Sequence, residues 1–195
     1  MKPMSFQSFL DQVLRDERGS ISIEFVIVMP LLLFLTTGGL ATWDAFQSNS
    51  KTAKIAYTIS DIMSRYDVVD NTDMTYLYAV LDKMLSPDLD RRVLRISSIC
   101  FEDGNYRVLW SYPFSSNDIA TPGALIDEDI PIDILPEMAP QDSVILTEVQ
   151  AHWQPHLYMG IGSMIWRSVL VSRPRFVKII PHTTLNPSNI CPGGA

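Results

Sequence analysis

Charge is scarce in this chain: only 19% of its 195 residues are Asp, Glu, Lys or Arg, while 47% are hydrophobic. Basic residues are the scarcer sign, and the formal net charge is −7. Without a basic stripe there is nothing to displace counterions from phosphate, which excludes a nucleic-acid partner. Histidine occurs three times and cysteine twice. Cys100 and Cys191 form no CxxC or zinc-like spacing, so a structural metal is not expected. His152 and His156 stand four apart, but Pro155 and the surrounding alternation break the helix that would make them a metal pair. His182 stands alone near the tail. A GxSxG elbow, a Walker loop and a dinucleotide fingerprint are all missing. The expectation is therefore a protein that is not an enzyme and takes no cofactor.

What the chain has is one long apolar run. From Phe25 to Trp43 no residue is charged. As a helix those residues would extend about 28 Å, close to the roughly 30 Å of a bilayer core. Pro30 and Gly38-Gly39 interrupt the run, as membrane helices tolerate. The run exceeds a secretory h-region in length, and no A-x-A site follows it closely. Ahead of it, three basic residues (Lys2, Arg15, Arg18) balance three acidic ones (Asp11, Asp16, Glu17). Phe6, Phe9, Leu10, Val13 and Leu14 recur at helical spacing there, a face that could rest on a membrane surface.

The junction between polar leader and apolar run reads RDERGSISIEFVIVMPLLL. Gly19 ends the polar part, and a single carboxylate, Glu24, stands inside the apolar part. This junction resembles type IV prepilins and, more narrowly, the TadE/TadG-like family of the Tad (Flp) pilus system. The resemblance implies cleavage by a prepilin peptidase between Gly19 and Ser20. Glycine suits a peptidase that draws an extended backbone close to its catalytic carboxylates. It also implies that Glu24, fifth in the mature chain, pairs with the amine of Ser20 on a neighbouring subunit, since a buried carboxylate is costly unless paired. Flp pilins usually carry tyrosine after this glutamate. Phe25 is instead similar to the TadE-like members, which points to a minor pilin-like protein.

After Trp43 the apolar stripe continues through Ile55, Ile59, Ile62 and Tyr66, so a stem helix is expected from about Ile21 to Arg65. A second helix is expected from about Thr75 to Leu85, capped by Asp73 or Thr72 and ended by Pro87. Strands are expected at Arg92–Glu102 and Tyr106–Phe114 around Asp103-Gly104-Asn105, and at Val144–Trp153, Arg167–Ser172 and Phe176–Ile180. Tyr106, Val108, Trp110, Tyr112 and Phe114 would share one face. The stretch from Ser115 to Asp142 holds four prolines and seven acidic residues without a lysine or arginine. It reads as a solvated loop with one short helix near Ile132–Leu135. A calcium site at Asp127, Glu128 and Asp129 lacks EF-hand spacing.

Helices first and strands afterwards indicate an α+β fold: a long transmembrane and stem helix, a second helix and a small, mainly antiparallel sheet, pilin-like in layout. VILTEVQAHWQP followed by RPRF also resembles the way TadE-like chains finish, although only the first forty-five residues carry a specific match. The expected organisation is a leader at 1–19, a transmembrane helix at 20–43, an outer domain at 44–182 and a tail at 183–195. If the outer domain faces an oxidising compartment, Cys100 and Cys191 form a disulfide that ties the tail down; in a reducing one they remain thiols. The resemblance implies a bacterial inner-membrane protein with its N-terminus cytoplasmic and its outer domain periplasmic. Its implied partners are the prepilin peptidase, other Tad pseudopilins, the major Flp pilin and the inner-membrane assembly platform. The competing expectations are an unprocessed single-pass scaffold that binds assembly or envelope proteins, and a membrane-anchored envelope enzyme without a recognisable motif.

Overall fold

The computed structural model describes residues 20–85, 91–115, 122–155 and 162–192. The leader, Gly19, Pro87 and His156 lie outside these residues. Contacts divide the chain into two units, Met1–Trp43 and Asp44–Ala195. Helix α1 covers Ser20–Met63 without a break at Pro30. Proline lacks the N–H that would close one helical turn, yet the neighbouring bonds suffice to carry the helix on. In the first unit its large apolar side chains, from Ile23 through Leu35 and again at Leu40 and Trp43, are exposed.

In the second unit the chain is α+β. Helix α2, Asn71–Met84, is followed by strands β1 (Arg91–Glu102), β2 (Asn105–Ser115), β3 (Asp142–Trp153) and β4 (Met164–Ser172). The four strands form one antiparallel sheet in the order β2-β1-β3-β4. Helix α2 starts earlier than the sequence suggests. Asp70 is its N-cap, accepting from the Asp73 N–H while the Asp73 carboxylate accepts from the Asp70 N–H. This reciprocal capping box satisfies two otherwise orphaned donors, and it displaces Asp73 and Thr72 from the capping position. Met74, Leu77 and Leu81 then face inward.

The β1–β2 hairpin turns on Asp103 and Gly104 alone, because Asn105 already pairs with Glu102. Both turn residues have positive φ, 51° and 78°. That is the backbone of a two-residue turn whose twist matches the flanking strands, and Asp-Gly suits it. The alternation of β2 does not hold along its length. A register shift opposite Ser98/Ile99 leaves Leu109 as an extra residue between Val108 and Trp110. A bulge of this kind moves every later side chain to the other face. Tyr106 and Val108 therefore pack with Ile99, Val144 and Leu146 on one side. Trp110 and Tyr112 pack with α1, α2, Ile96 and Ile145 on the other, and the Phe114 ring meets Tyr78 of α2 at 4.0 Å. The expected single face of five residues is thus split.

The helix-side core is built on Ile55, Ile59, Met63, Leu77, Leu81 and Trp153, all nearly inaccessible. Ser48, Thr52 and Ser60 of α1, and Ser64 just after it, are buried as well. The opposite face is covered by the 122–140 segment rather than left to solvent. That segment contains two 3-10 turns, Asp127–Asp129 and Ile132–Ile134, and buries Leu125 and Ile130. Asp127 Oδ1 accepts the Val108 N–H at 2.6 Å and so occupies the open edge of β2.

The strand expected at Phe176–Ile180 does not form. Prolines at 174 and 181 bracket it and remove ladder donors. The chain instead crosses away from the sheet, with the Arg175 N–H on Ser64 O and Lys178 O accepting from Ser143 Oγ. Beyond it the tail is tied down: the Thr183 N–H donates to Val69 O, and Asn186 Nδ2 to Leu109 O.

Candidate functional site

The N-terminal stretch of α1 is apolar and exposed, with a single ionisable side chain. Glu24 is the sole ionisable side chain between Ser20 and Trp43, and it is exposed. Among the described residues the helix runs from Ser20, and Glu24 lies four residues along it. Phe25 beside it is 61% exposed. The hydroxyls of Thr36, Thr37 and Thr42 each bond back to carbonyls three and four residues earlier. Their polar atoms are thereby satisfied within the helix, which is what an apolar medium requires. Helix α1 is long and apolar enough to cross a membrane. Gly19 lies outside the described residues, so Ser20, Glu24 and Phe25 are the members of the junction that the structure places together, on consecutive turns of one helix.

In the second unit Cys100 of β1 and Cys191 of the tail are joined by a disulfide, with Cα atoms 5.9 Å apart. Both are buried in the helix-side core. Among the described residues no group of three His, Cys, Asp or Glu is arranged to hold a metal ion. Asp127 is engaged with Val108, and His152 lies in the β3–β4 ladder opposite Ile165.

Two residues emerge that the sequence gave little reason to single out. His182 is fully buried, stacked on Tyr112 at 5.8 Å and tilted against Trp110 at 5.5 Å. Its Nδ1 accepts the N–H groups of Thr184 and Leu185. Burial pushes its pKa down, and the nearby carboxylates of Asp70 and Asp73 oppose that only in part. Glu148 of β3 is buried between Arg95 of β1 and Arg167 of β4 and pairs with both. Burial alone would raise its pKa, but the hydrogen bonds and charges of the two arginines outweigh it and hold the carboxyl below its ordinary range. A lone acid in the apolar string VILTEV was the available sign of Glu148; its partners lie on other strands and cannot be read locally. Both groups lie inside the second unit.

Compared with known proteins, the chain matches no family model, no curated protein and no solved structure.

Proposed function

We propose that this protein is a minor pilin-like component of a Tad-type pilus assembly system, cut after Gly19 by a prepilin peptidase and held in the membrane by α1. The observation that carries the reading is the junction itself. A glycine-terminated polar leader meets an apolar stretch, helical from Ser20 in the described residues, in which Glu24 is the one ionisable side chain before Asp44. An apolar helix can pass from lipid into a bundle of similar helices at little hydrophobic cost, because one apolar surround replaces another. Glu24 then specifies register, since it demands a cation at a fixed height and the Ser20 amine freed by cleavage supplies one. The Cys100–Cys191 disulfide supports placing the second unit in an oxidising compartment, outside the cytoplasm. The proposed partners are the peptidase, the assembly platform, other pseudopilins and the major pilin, with the protein acting in filament initiation or at the tip.

Intact-mass measurement on protein extracted from membranes tests the reading. Residues 1–19 should be missing in cells that hold the peptidase and retained in cells that lack it. Full-length protein in both backgrounds would favour an uncleaved scaffold and sink the proposal. A Glu24→Gln variant should still be cleaved but should fail to support pilus assembly; normal piliation would show that the carboxylate has no pairing role.

A further inference from the structure

Trp43 closes the uncharged run, and Asp44 is the first ionisable residue after it. Chain connectivity puts their Cα atoms about 3.8 Å apart. If the run occupies the hydrocarbon of a bilayer, Asp44 lies at the headgroup boundary. Asp44 is also an anchor for the sheet. Its Oδ2 accepts the indole N–H of Trp153 at 2.8 Å, and Trp153 is the last residue of β3 and only 1% exposed. One end of the sheet is therefore tied to the residue at which the chain leaves the apolar run.

Among the described residues, that end carries exposed apolar side chains. Met164 pairs with Trp153 and Ile165 with His152, and they are 43% and 67% exposed. Phe46, two residues beyond Asp44, is exposed as well. From Gln154 to Trp166 the sequence has no Asp, Glu, Lys or Arg. Arg91 of β1 stands opposite His152 at this end, whereas the other end of the sheet is acidic. Asp103 lies in the β1–β2 turn there, and Asp127, Glu128 and Asp129 lie beside the adjoining part of β2. The twelve residues of β1 separate the two ends by about 40 Å.

We propose that the Met164–Ile165 end of the β3–β4 pair is a lipid-contacting surface, bedded in the headgroup boundary of the membrane that holds α1. The inference rests on the reading of α1 as membrane-spanning. Lipid is the occupant that connectivity brings to this height, because every copy of the chain has a bilayer beside Trp43. Antiparallel partners lie about 5 Å apart, so Ile165 is within about 15 Å of the Asp44 carboxylate. The contact would hold the second unit down on the membrane through an apolar wedge at Met164 and Ile165.

The test uses the full chain in phosphatidylcholine vesicles doped with nitroxide lipids, labelled near the glycerol end or near the chain terminus. The paired cysteines leave no native thiol free to label, so single variants Ile165→Cys, Leu33→Cys and Ile132→Cys can each carry an environment-sensitive fluorophore. The Ile165 probe should lose roughly half its emission to the shallow nitroxide, the Leu33 probe should be quenched by the deep one, and the Ile132 probe by neither. Quenching at Leu33 but not at Ile165 overturns this inference and leaves the membrane helix standing. Quenching at neither removes the membrane helix and the inference together. Equal quenching at Ile165 and Ile132 marks general adsorption of the domain, and a blue shift at Ile165 without lipid quenching marks a protein neighbour, a second copy included; both overturn it.

Discussion

The Nδ1 atom of His182 faces two backbone N–H donors, so a second proton on the ring would replace two accepted hydrogen bonds with two donor–donor clashes in a buried aromatic slot. The folded state thus resists charging, while the unfolded chain titrates at the ordinary 6.5. Between those two values the unfolded state binds more protons, so stability falls as pH drops below about 6.5 and levels off once the folded ring also titrates. In a His182→Gln variant, denaturation midpoints followed from neutral pH down to mildly acidic pH should decline less steeply than in the parent. An unchanged slope would mean that His182 is not held neutral. Glu148 acts lower on the scale. Its folded pKa is depressed from an ordinary 4.5, so its contribution is complete above that value and is lost as pH falls below it towards the folded one. The two arginines around it differ. The Arg95 side chain is 17% exposed and Arg167 55%. Glu148→Leu removes the carboxylate from the mostly buried Arg95, leaving it the Gly123 carbonyl, and should cost about 3 kcal/mol, whereas Arg167→Met, at a solvated position, should cost under about 1 kcal/mol. Denaturant titration of the detergent-solubilised chain measures both, and equal losses would contradict this division.

Local chemistry decides how far each element could be anticipated. The run from Phe25 and the stripe through Ile55 and Ile59 specify α1, because helical spacing and apolarity agree over many turns. The hairpin was legible for the same reason: Asp103-Gly104 is a two-residue turn sequence between β-branched and aromatic strands. Gly104 has φ of 78°, where a Cβ is strained although no neighbouring atom obstructs it. Gly104→Ala should therefore cost about 1 kcal/mol in chemical denaturation through backbone strain alone, with Asp103→Asn near neutral. A neutral Gly104→Ala would show that the turn relaxes to another type. The bulge at Leu109 was not legible. Strict alternation from Tyr106 to Phe114 predicts one face, and what breaks it is the demand of two cores on opposite sides of the sheet. The absent fifth strand is a similar case. Phe176–Ile180 has strand-like residues, but Pro174 and Pro181 and the bond from Arg175 to Ser64 O turn it across the fold.

At the scale of the whole molecule, the second unit is stabilised by contacts that join distant parts of the chain, which no contiguous motif announces. The tail shows this most clearly. Cys100 and Cys191 are 91 residues apart in sequence, and a crosslink over such a span removes enough freedom from the unfolded chain to contribute about 4 kcal/mol. Noncovalent ties act beside it. Trp110 Nε1 donates to Ile180 O, the Val69 N–H to Pro181 O, and the Cys191 N–H to Gln141 Oε1. Two kinds of loss can thus be separated in a Cys100→Ser/Cys191→Ser double variant. Its melting temperature should fall by roughly 10 °C, since each kcal/mol shifts a domain of this size by a few degrees. In the native state, however, hydrogen exchange should quicken mainly beyond Asn186. The amides of Val69 and Thr183 should stay protected, because their bonds do not pass through the disulfide. Faster exchange along β1 and at Val69 would show instead that the bridge holds the sheet and the tail together as one cooperative unit.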